Sequence, residues 1–189
     1  MATFTALFDA CVLYPAPIRD ILLHLAQTGL FRAKWTDRIH DEWMQNLLAN
    51  RSDLSKDRLQ RTRDYMNKAV LDCLVCDYEN LIDALVLPDC NDRHVLAAAI
   101  RCRADVIVTY NLKDFPEVIL SKQDIQAQHP DEFISHLIDL SPGVVCSAVK
   151  RMRTNLRNPP YGVGQLFNTL EDLGLVQTVS ALREYAEVL

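Results

Sequence analysis

The stretch Leu87-Pro88-Asp89-Cys90-Asn91-Asp92-Arg93-His94-Val95-Leu96-Ala97-Ala98-Ala99-Ile100 decides the fold that this chain can adopt. An apolar run ends at Leu87, and an alanine-rich segment typical of a buried helix follows Asp92. Asp89 and Asp92 are three residues apart, so both carboxylates can point at the first turn of that helix, where the helix dipole favours negative charge. Taken alone, the pair is explained better as an ordinary helix cap.

The composition indicates a folded globular protein with an acidic balance. The chain has 189 residues, of which 49% are hydrophobic and 24% charged, and its formal net charge is -5. This content favours a packed core over disorder and argues against a protein that coats nucleic acid with its whole surface, while a local basic patch remains compatible. The first residues carry neither a basic region nor a long apolar run. We therefore expect no signal peptide, no membrane span and a cytoplasmic location.

Strands and amphipathic helices alternate over roughly the first two thirds of the chain, a pattern that indicates a parallel α/β sheet. We predict strands at residues 5–8, 31–35, 85–87, 106–109 and 125–127. We predict helices at residues 18–25, 36–48, 55–70, 92–102 and 130–137, followed by three C-terminal helices at 144–156, 163–173 and 176–188. The segment 71–76 is compatible with a strand or with the end of a helix.

Acidic and amide side chains recur where the predicted strands end. In a parallel sheet the carboxyl ends of the strands meet at one edge, which is where such folds bind ligands. A further acid on the helix after the second strand can reach this edge from the side. The side chains that we expect there are Asp9, Glu42, Asp89, Asp92, Asn111 and Asp114.

Carboxylates that are brought together repel one another, which raises the pKa of some of them and destabilises the fold. A cation removes this repulsion, and a set of oxygen ligands selects hard ions such as Mg²⁺ or Mn²⁺. Such ions can activate water and stabilise the leaving oxygen of a phosphodiester. The pattern therefore suggests metal-assisted hydrolysis of a nucleic-acid backbone.

Four motifs in this order resemble a PIN-domain ribonuclease, and in particular the VapC-type toxins of bacterial toxin–antitoxin pairs. The motifs are Phe8-Asp9-Ala10-Cys11-Val12-Leu13-Tyr14-Pro15, then Glu42-Trp43, then Asp89-Cys90-Asn91-Asp92-Arg93-His94-Val95, then Thr109-Tyr110-Asn111-Leu112-Lys113-Asp114-Phe115. The resemblance implies a three-layer α/β/α sandwich with a central parallel sheet. It places a PIN-like nuclease domain at residues 1–138 and leaves residues 139–189 as a helical C-terminal extension.

The resemblance also implies roles for single residues, a cofactor and partners. It assigns catalysis to Asp9, Glu42, Asp92 and Asp114, metal binding to Asp9, Asp89, Asp92 and Asp114, and a supporting role to Thr109 and Asn111. The implied cofactor is Mg²⁺ or Mn²⁺. The implied partners are an RNA substrate, with transfer RNA as the narrower guess, a cognate antitoxin protein and a second copy of the chain in a homodimer.

Basic residues offer two places where RNA phosphate could bind. Arg93 and His94 adjoin the acids, although Arg93 could equally pair with a nearby carboxylate. A second group lies on one C-terminal helix and consists of Lys150, Arg151, Arg153 and Arg157. That group is compatible with a solvated face, with a phosphate track for RNA or with a docking surface for an acidic antitoxin.

Two other functions compete with a nuclease. A non-catalytic RNA- or protein-binding module would keep the fold without turnover. A zinc deaminase is suggested by Cys73-Leu74-Val75-Cys76 together with His40-Asp41-Glu42, but the proline expected before the first cysteine is replaced by Asp72. We instead expect the six cysteines to be buried thiols, because nothing indicates secretion.

Overall fold

The computed structural model describes residues 3–156 and 160–189. Four strands and eleven α-helices follow one another along these residues. They are β1 (Thr5–Phe8), α1 (Ala10–Leu13), α2 (Ala16–Ala26), β2 (Arg32–Lys34), α3 (Asp37–Asn50), α4 (Lys56–Ala69), α5 (Glu79–Ile82), α6 (Arg93–Cys102), β3 (Val106–Val108), α7 (Glu117–Leu120), β4 (Gln126–Gln128), α8 (Pro130–Leu140), α9 (Pro142–Asn155), α10 (Val163–Asp172) and α11 (Val176–Arg183). Short 3-10 turns lie at Cys90–Asp92, Leu112–Asp114, Ser121–Gln123 and Ala186–Val188.

The four strands form one parallel sheet in the order β2-β1-β3-β4, with β1 and β3 in the centre. Ala6 of β1 pairs with Ala33 on one side and with Val106 on the other. Every residue of the two central strands is buried, as expected when helices cover both faces of a parallel sheet. The predicted fold class, an α/β sandwich around a parallel sheet with a helical C-terminal part, is confirmed.

Aromatic side chains hold one face of the sheet against α8. The ring of Phe133 on α8 lies edge-on to Phe31 at 5.1 Å and to Phe8 at 6.2 Å between centroids, and Phe8 stacks on Trp35 at 6.2 Å. All four side chains are nearly or fully buried. Such aromatic pairs add to the free energy of area burial, so they fix the end of β1 firmly.

The predicted starts of three helices are confirmed. The Oγ1 of Thr36 accepts a hydrogen bond from the amide of Ile39 at 3.0 Å, and the Oγ of Ser55 accepts one from the amide of Arg58 at 3.3 Å. Pro130 opens α8 in its first turn. The two hydroxyl caps satisfy amides that have no partner within the helix, and proline at the first position has no amide that needs one. The residue type alone therefore marked these three starts.

One predicted strand is absent, and one segment whose structure the sequence left open is now assigned. Residues 85–87 form no strand: the amide of Leu85 donates to Ile82 at 3.2 Å, so this segment continues the turns after α5, and Pro88 has no amide with which to extend a ladder. Segment 71–76 is neither strand nor helix end. It makes one parallel bridge, between Leu74 and Trp35.

The C-terminal helices pack on the α/β part of the chain. Helix α9 packs against α2, and α11 packs against α8. The predicted boundary at 138/139 falls just before the end of α8, and the predicted break at 158–162 lies partly outside the described residues. The third predicted C-terminal helix ends earlier than expected, at Arg183, and is followed by a 3-10 turn.

In the described part of the chain, no helix combines the length and the apolar character that crossing a bilayer requires.

Candidate active site at the carboxyl edge of the sheet

The strand order places a crevice between the carboxyl ends of β1 and β3. After β1 the chain continues to β2 on one side of the sheet, and after β3 it continues to β4 on the other side. Parallel α/β sheets bind ligands at the point between two such strands. Asp9 follows β1 directly and its amide donates to the carbonyl of Val108 at 3.1 Å. Thr109 follows β3 in the same way, so the two residues face each other across the crevice.

Asp9 is held by a small hydrogen-bond network and is only 5% exposed. Its Oδ1 accepts from the amide of Ala10 at 2.6 Å, which caps α1. Its Oδ2 accepts from the hydroxyl of Thr109 at 2.8 Å and from the thiol of Cys11 at 3.0 Å. The Thr109 hydroxyl also accepts from the amide of Asn111 at 3.0 Å. Thr109 therefore ties Asp9 to the turn that carries Asn111, which is one of the supporting roles predicted for it.

Cys11 remains a neutral thiol at this position. Burial, followed by the nearby charge of Asp9, raises the pKa of Cys11 to about 12. A protonated thiol can donate to the Asp9 carboxylate, whereas a thiolate beside that carboxylate would be repelled. Cys11 thus contributes a hydrogen-bond donor to the site.

Glu42 reaches the site from α3 and is also held in place. Its Oε1 lies 2.8 Å from the Nε2 of His94 on α6 and 3.4 Å from the Nε of Arg38, one turn earlier on α3. His94 is only 1% exposed, whereas the Glu42 carboxyl is half-buried. Because an ionised carboxylate can only accept, the Nε2 of His94 carries the proton in this pair.

Asp9, Glu42, Asp92 and Asn111 line one cavity of about 340 Å³. Three residues that sequence reasoning missed complete its polar lining: Cys11, Tyr14 and Asn46. A signal for Asn46 exists in the sequence, because it follows Glu42 by four positions and so lies on the same face of α3. Nothing in the sequence marks Cys11 or Tyr14 beyond their closeness to Asp9.

Asp92 is affected most by this convergence of acids. Burial is the main cause that raises its pKa to about 6, followed by the charges of Asp9, Asp89 and Asp114. Asp89 and Asp114 do not line the cavity, so the structure brings them near the site without placing them in its wall. Asp89 also serves as a cap, since its Oδ1 accepts from the amide of Asn91 at 2.8 Å.

The donor set is suited to a hard divalent ion, although it is not a finished binding site. No three His, Cys, Asp or Glu side chains within residues 3–156 and 160–189 stand in an arrangement that could hold a metal ion. The available donors are nevertheless carboxylate and amide oxygens, and a cation would remove the repulsion that adds to burial in raising the pKa of Asp92. Mg²⁺ keeps several waters and takes one or two carboxylates directly, so the residues present fit it.

The basic residues predicted to contact RNA are distributed differently from the expectation. His94 is buried and presents no surface to RNA, because its ring contacts the carboxylate of Glu42 in the interior. Arg93 is half-buried, and its Nε has no hydrogen-bond partner among the described residues.

The predicted basic group on α9 does not act as one free patch. Lys150 donates to the carbonyl of Val188 at 2.8 Å, and Arg153 donates to Leu189 at 2.9 Å and to Tyr161 at 2.8 Å. These two side chains hold backbone oxygens of the last two residues and of Tyr161. Arg151 is exposed, and Arg157 lies outside the described residues.

The structure gives no support to a zinc site. Both ring nitrogens of His40 are engaged, Nε2 with Asn67 at 3.0 Å and Nδ1 with the indole of Trp43 at 3.0 Å. All six cysteines are free, and Cys73 and Cys146 are buried as predicted. The expectation of buried thiols is wrong for Cys76 and Cys90, which are exposed because both lie in turns between helices.

Comparisons with known proteins give consistent matches along the chain. The family model described as "PIN domain" matches residues 5–113, more than half of the chain, and the model described as "VapC50 C-terminal domain" matches residues 130–184. A stretch of 79 residues is 43% identical to the Mycobacterium tuberculosis protein named "Putative ribonuclease VapC50". That alignment covers 42% of this chain and 47% of the relative, about half of its length. No solved structure matches significantly.

Proposed function

The chain belongs to the PIN-domain family, and from this premise we propose that it is a metal-dependent endoribonuclease that hydrolyses RNA phosphodiester bonds in the Asp9 cavity. The observation that carries the proposal is the meeting of Asp9, Glu42 and Asp92 on one cavity at the crevice of the sheet. The ribonuclease name of the mycobacterial relative supports the same reaction.

Each acid is suited to a different part of the hydrolysis. Asp9 and Asp92 would hold the ion, with Asp89 and Asp114 acting through water. When bound, a divalent ion supplies positive charge that lowers the pKa of the attacking water and offsets the charge of the phosphate. Glu42, held by His94 and Arg38, would accept the proton of that water.

Thr109 supports the reaction by orientation. Its hydroxyl donates to the Oδ2 of Asp9, and this hydrogen bond holds the carboxylate in one orientation. Asn111 follows two residues later and lines the same cavity, where its amide could bind a water or a phosphate oxygen. Holding these groups before the substrate arrives is what makes electrostatic stabilisation effective.

The four motifs that resemble VapC-type toxins, together with the VapC name of the relative, support a toxin that a cognate antitoxin keeps inactive. We extend that assignment to this chain as part of the proposal, together with an RNA substrate, of which transfer RNA is the narrower choice, and a homodimer. Co-expression with the neighbouring open reading frame tests the antitoxin. Stable co-purification and loss of growth arrest are expected, and unchanged growth arrest would contradict it.

The nuclease is tested with Asp9→Asn. Asparagine keeps the shape of the side chain and an oxygen for the amide of Ala10, so the fold is retained while the charge is lost. We expect RNA cleavage in Mg²⁺ or Mn²⁺ to fall about a hundredfold or more, the range seen when one group that stabilises the transition state is removed. EDTA should abolish cleavage by the unmodified protein.

The control is Asp83→Asn, which removes an exposed carboxylate away from the cavity and should cleave normally. Cleavage by Asp9→Asn at the rate of the unmodified protein would contradict the assignment. RNA binding by the unmodified protein without cleavage in either metal would favour the non-catalytic module instead.

A further inference from the structure

A second cavity, of about 600 Å³, adjoins the acidic one, and Tyr14 lines both. Its walls come from the turn before α2 and the start of that helix, from α3 and α4 with their connection, and from α10 of the C-terminal part. Its volume lies within the range of about 300–1,000 Å³ that small-molecule pockets occupy. The apolar wall includes Pro17, Leu47 and Leu54, so the cavity can receive an apolar group.

Arg19 lines this cavity and is only 8% exposed. One of its terminal nitrogens donates to the carbonyl of Leu13 at 2.7 Å, and its guanidinium lies 4.9 Å from the ring centroid of Trp43. Its Nε has no hydrogen-bond partner, and no carboxylate among the described residues forms a salt bridge with it. Asp20 acts on it only through charge. A buried guanidinium without an ion pair is costly unless an anion completes it.

The other two arginines in the wall differ in their availability. Arg51 is paired with Asp53 by two hydrogen bonds of 2.7 and 2.8 Å, so its charge is offset. Arg58 is exposed and forms no salt bridge among the described residues, although the charge of Asp53 is close to it. Arg19 and Arg58 are therefore the two cations of this cavity that can take up an anion.

We propose that this cavity binds the nucleotide next to the scissile phosphate of the RNA strand, with Arg19 and Arg58 as ligands of its phosphate. The inference rests on the proposed function, because the strand enters through the acidic cavity. A phosphate matches the planar, bidentate donor pattern of arginine. Tyr14, at the junction of the two cavities, is placed for a base to stack on it, the common way in which proteins hold single-stranded RNA.

The C-terminal helices thereby take part in substrate selection. Thr169 and Asp172 of α10 also line this cavity. The carboxylate of Asp172 repels a phosphate but can accept a hydrogen bond from a ribose hydroxyl or a base amino group. We therefore expect the phosphate to lie against the arginines and Asp172 to accept from the ribose, a contact that favours RNA over DNA because only RNA offers the 2′-hydroxyl.

The binding test uses a fluorescein-labelled single-stranded oligouridine in EDTA, which prevents metal-assisted cleavage, and measures Kd by fluorescence anisotropy. Arg58→Gln should weaken binding about tenfold, as expected for the loss of one charge-assisted contact. It should also reduce the slope of log K against log salt by about 0.7. The matched control is Arg61→Gln on the same helix, an exposed arginine outside the cavity wall, which should change Kd less than about twofold.

Arg19→Lys provides a second variant at the buried position. It keeps the charge but removes the Nε donor and the planar fork, so binding should weaken while the melting temperature verifies the fold. Equal RNA binding by Arg58→Gln, Arg61→Gln and the unmodified protein would overturn the proposal. A loss confined to binding of polyglutamate, with RNA binding unchanged, would also overturn it and would indicate a protein docking site.

The outcomes separate this inference from the nuclease. Arginine-dependent RNA binding without cleavage in Mg²⁺ or Mn²⁺ would support the nucleotide site and contradict the proposed function. Cleavage with an unchanged KM in Arg58→Gln would support the nuclease and overturn the nucleotide site.

Discussion

At the scale of single residues, the ionised form of Asp92 is unfavourable in the folded protein. Its pKa is raised from 3.8 to about 6, with burial as the main cause and neighbouring acids as the next. A raised pKa means that the folded state binds more protons than the unfolded state between about pH 4 and pH 6. The contribution of Asp92 to stability is therefore lost as the pH rises through this window, and above it the ionised carboxylate destabilises the fold.

We therefore predict that Asp92→Asn stabilises the protein in EDTA at pH 7.5 and does so less at pH 5. The full shift corresponds to about 3 kcal/mol, but Asp92 is partly exposed, so screening reduces this to about 1 kcal/mol. The melting temperature should rise by about 2–4 °C at pH 7.5 for a chain of this size.

The measurement is thermal unfolding at both pH values beside Asp83→Asn, which removes a carboxylate outside the cavity. A lower melting temperature for Asp92→Asn than for the unmodified protein at pH 7.5 would show that Asp92 has a structural role instead.

At the scale of elements, one hydrogen bond connects α3, which carries Glu42, to α6, which begins directly after Asp92. His94 of α6 and Glu42 of α3 are 2.8 Å apart, and the Nδ1 of His94 has no partner among the described residues. The bond to Glu42 is thus the polar contact that His94 makes in the interior. We interpret His94 as a positioning residue that orients the Glu42 carboxylate toward the cavity.

His94→Leu should lower kcat for RNA cleavage about tenfold and change KM less than about twofold, in the range seen when the partner of a functional carboxylate is lost. His94→Gln places an amide nitrogen near the position of Nε2 and should restore most of kcat. Steady-state kinetics of both variants test this. Equal kcat values for His94→Leu and the unmodified protein would exclude a positioning role.

At the scale of the whole molecule, buried and part-buried hydrogen bonds attach the C-terminal helices to the part of the chain that contains the sheet. Asp131 of α8 accepts from the amides of Gln177 and Thr178 at 2.9 and 2.8 Å and is only 5% exposed. The hydroxyl of Tyr110 donates to the carbonyl of Leu173 at 2.9 Å. Because α10 forms one wall of the arginine-lined cavity, these bonds also determine the shape of that cavity.

Asp131→Ala should destabilise the protein by about 2–4 kcal/mol, since two amides at the start of α11 lose a charged acceptor. Hydrogen exchange should increase most in α11 and α10. The control is Glu132→Ala, the next residue, whose carboxylate makes no hydrogen bond among the described residues. Exchange that rises equally in both variants would contradict a specific role for Asp131.

The sequence by itself determined the fold class, most of the strands and the helix starts at Thr36, Ser55 and Pro130. These features depend on residue types within a few positions of one another, because caps and hydrophobic periodicity are local interactions. The alternation of strands and helices further placed the acids at the edge where parallel strands end.

Only the tertiary structure decided which side chains these acids contact. The burial of His94 against Glu42 and the use of Arg153 to hold Leu189 depend on residues far apart in sequence. The arginine-lined cavity likewise forms only where α2, α4 and α10 meet. The same residue types also occur on exposed surfaces, so the local sequence does not tell whether such a side chain is buried or which group it bonds. Burial and hydrogen-bond partners are decided when the elements pack together.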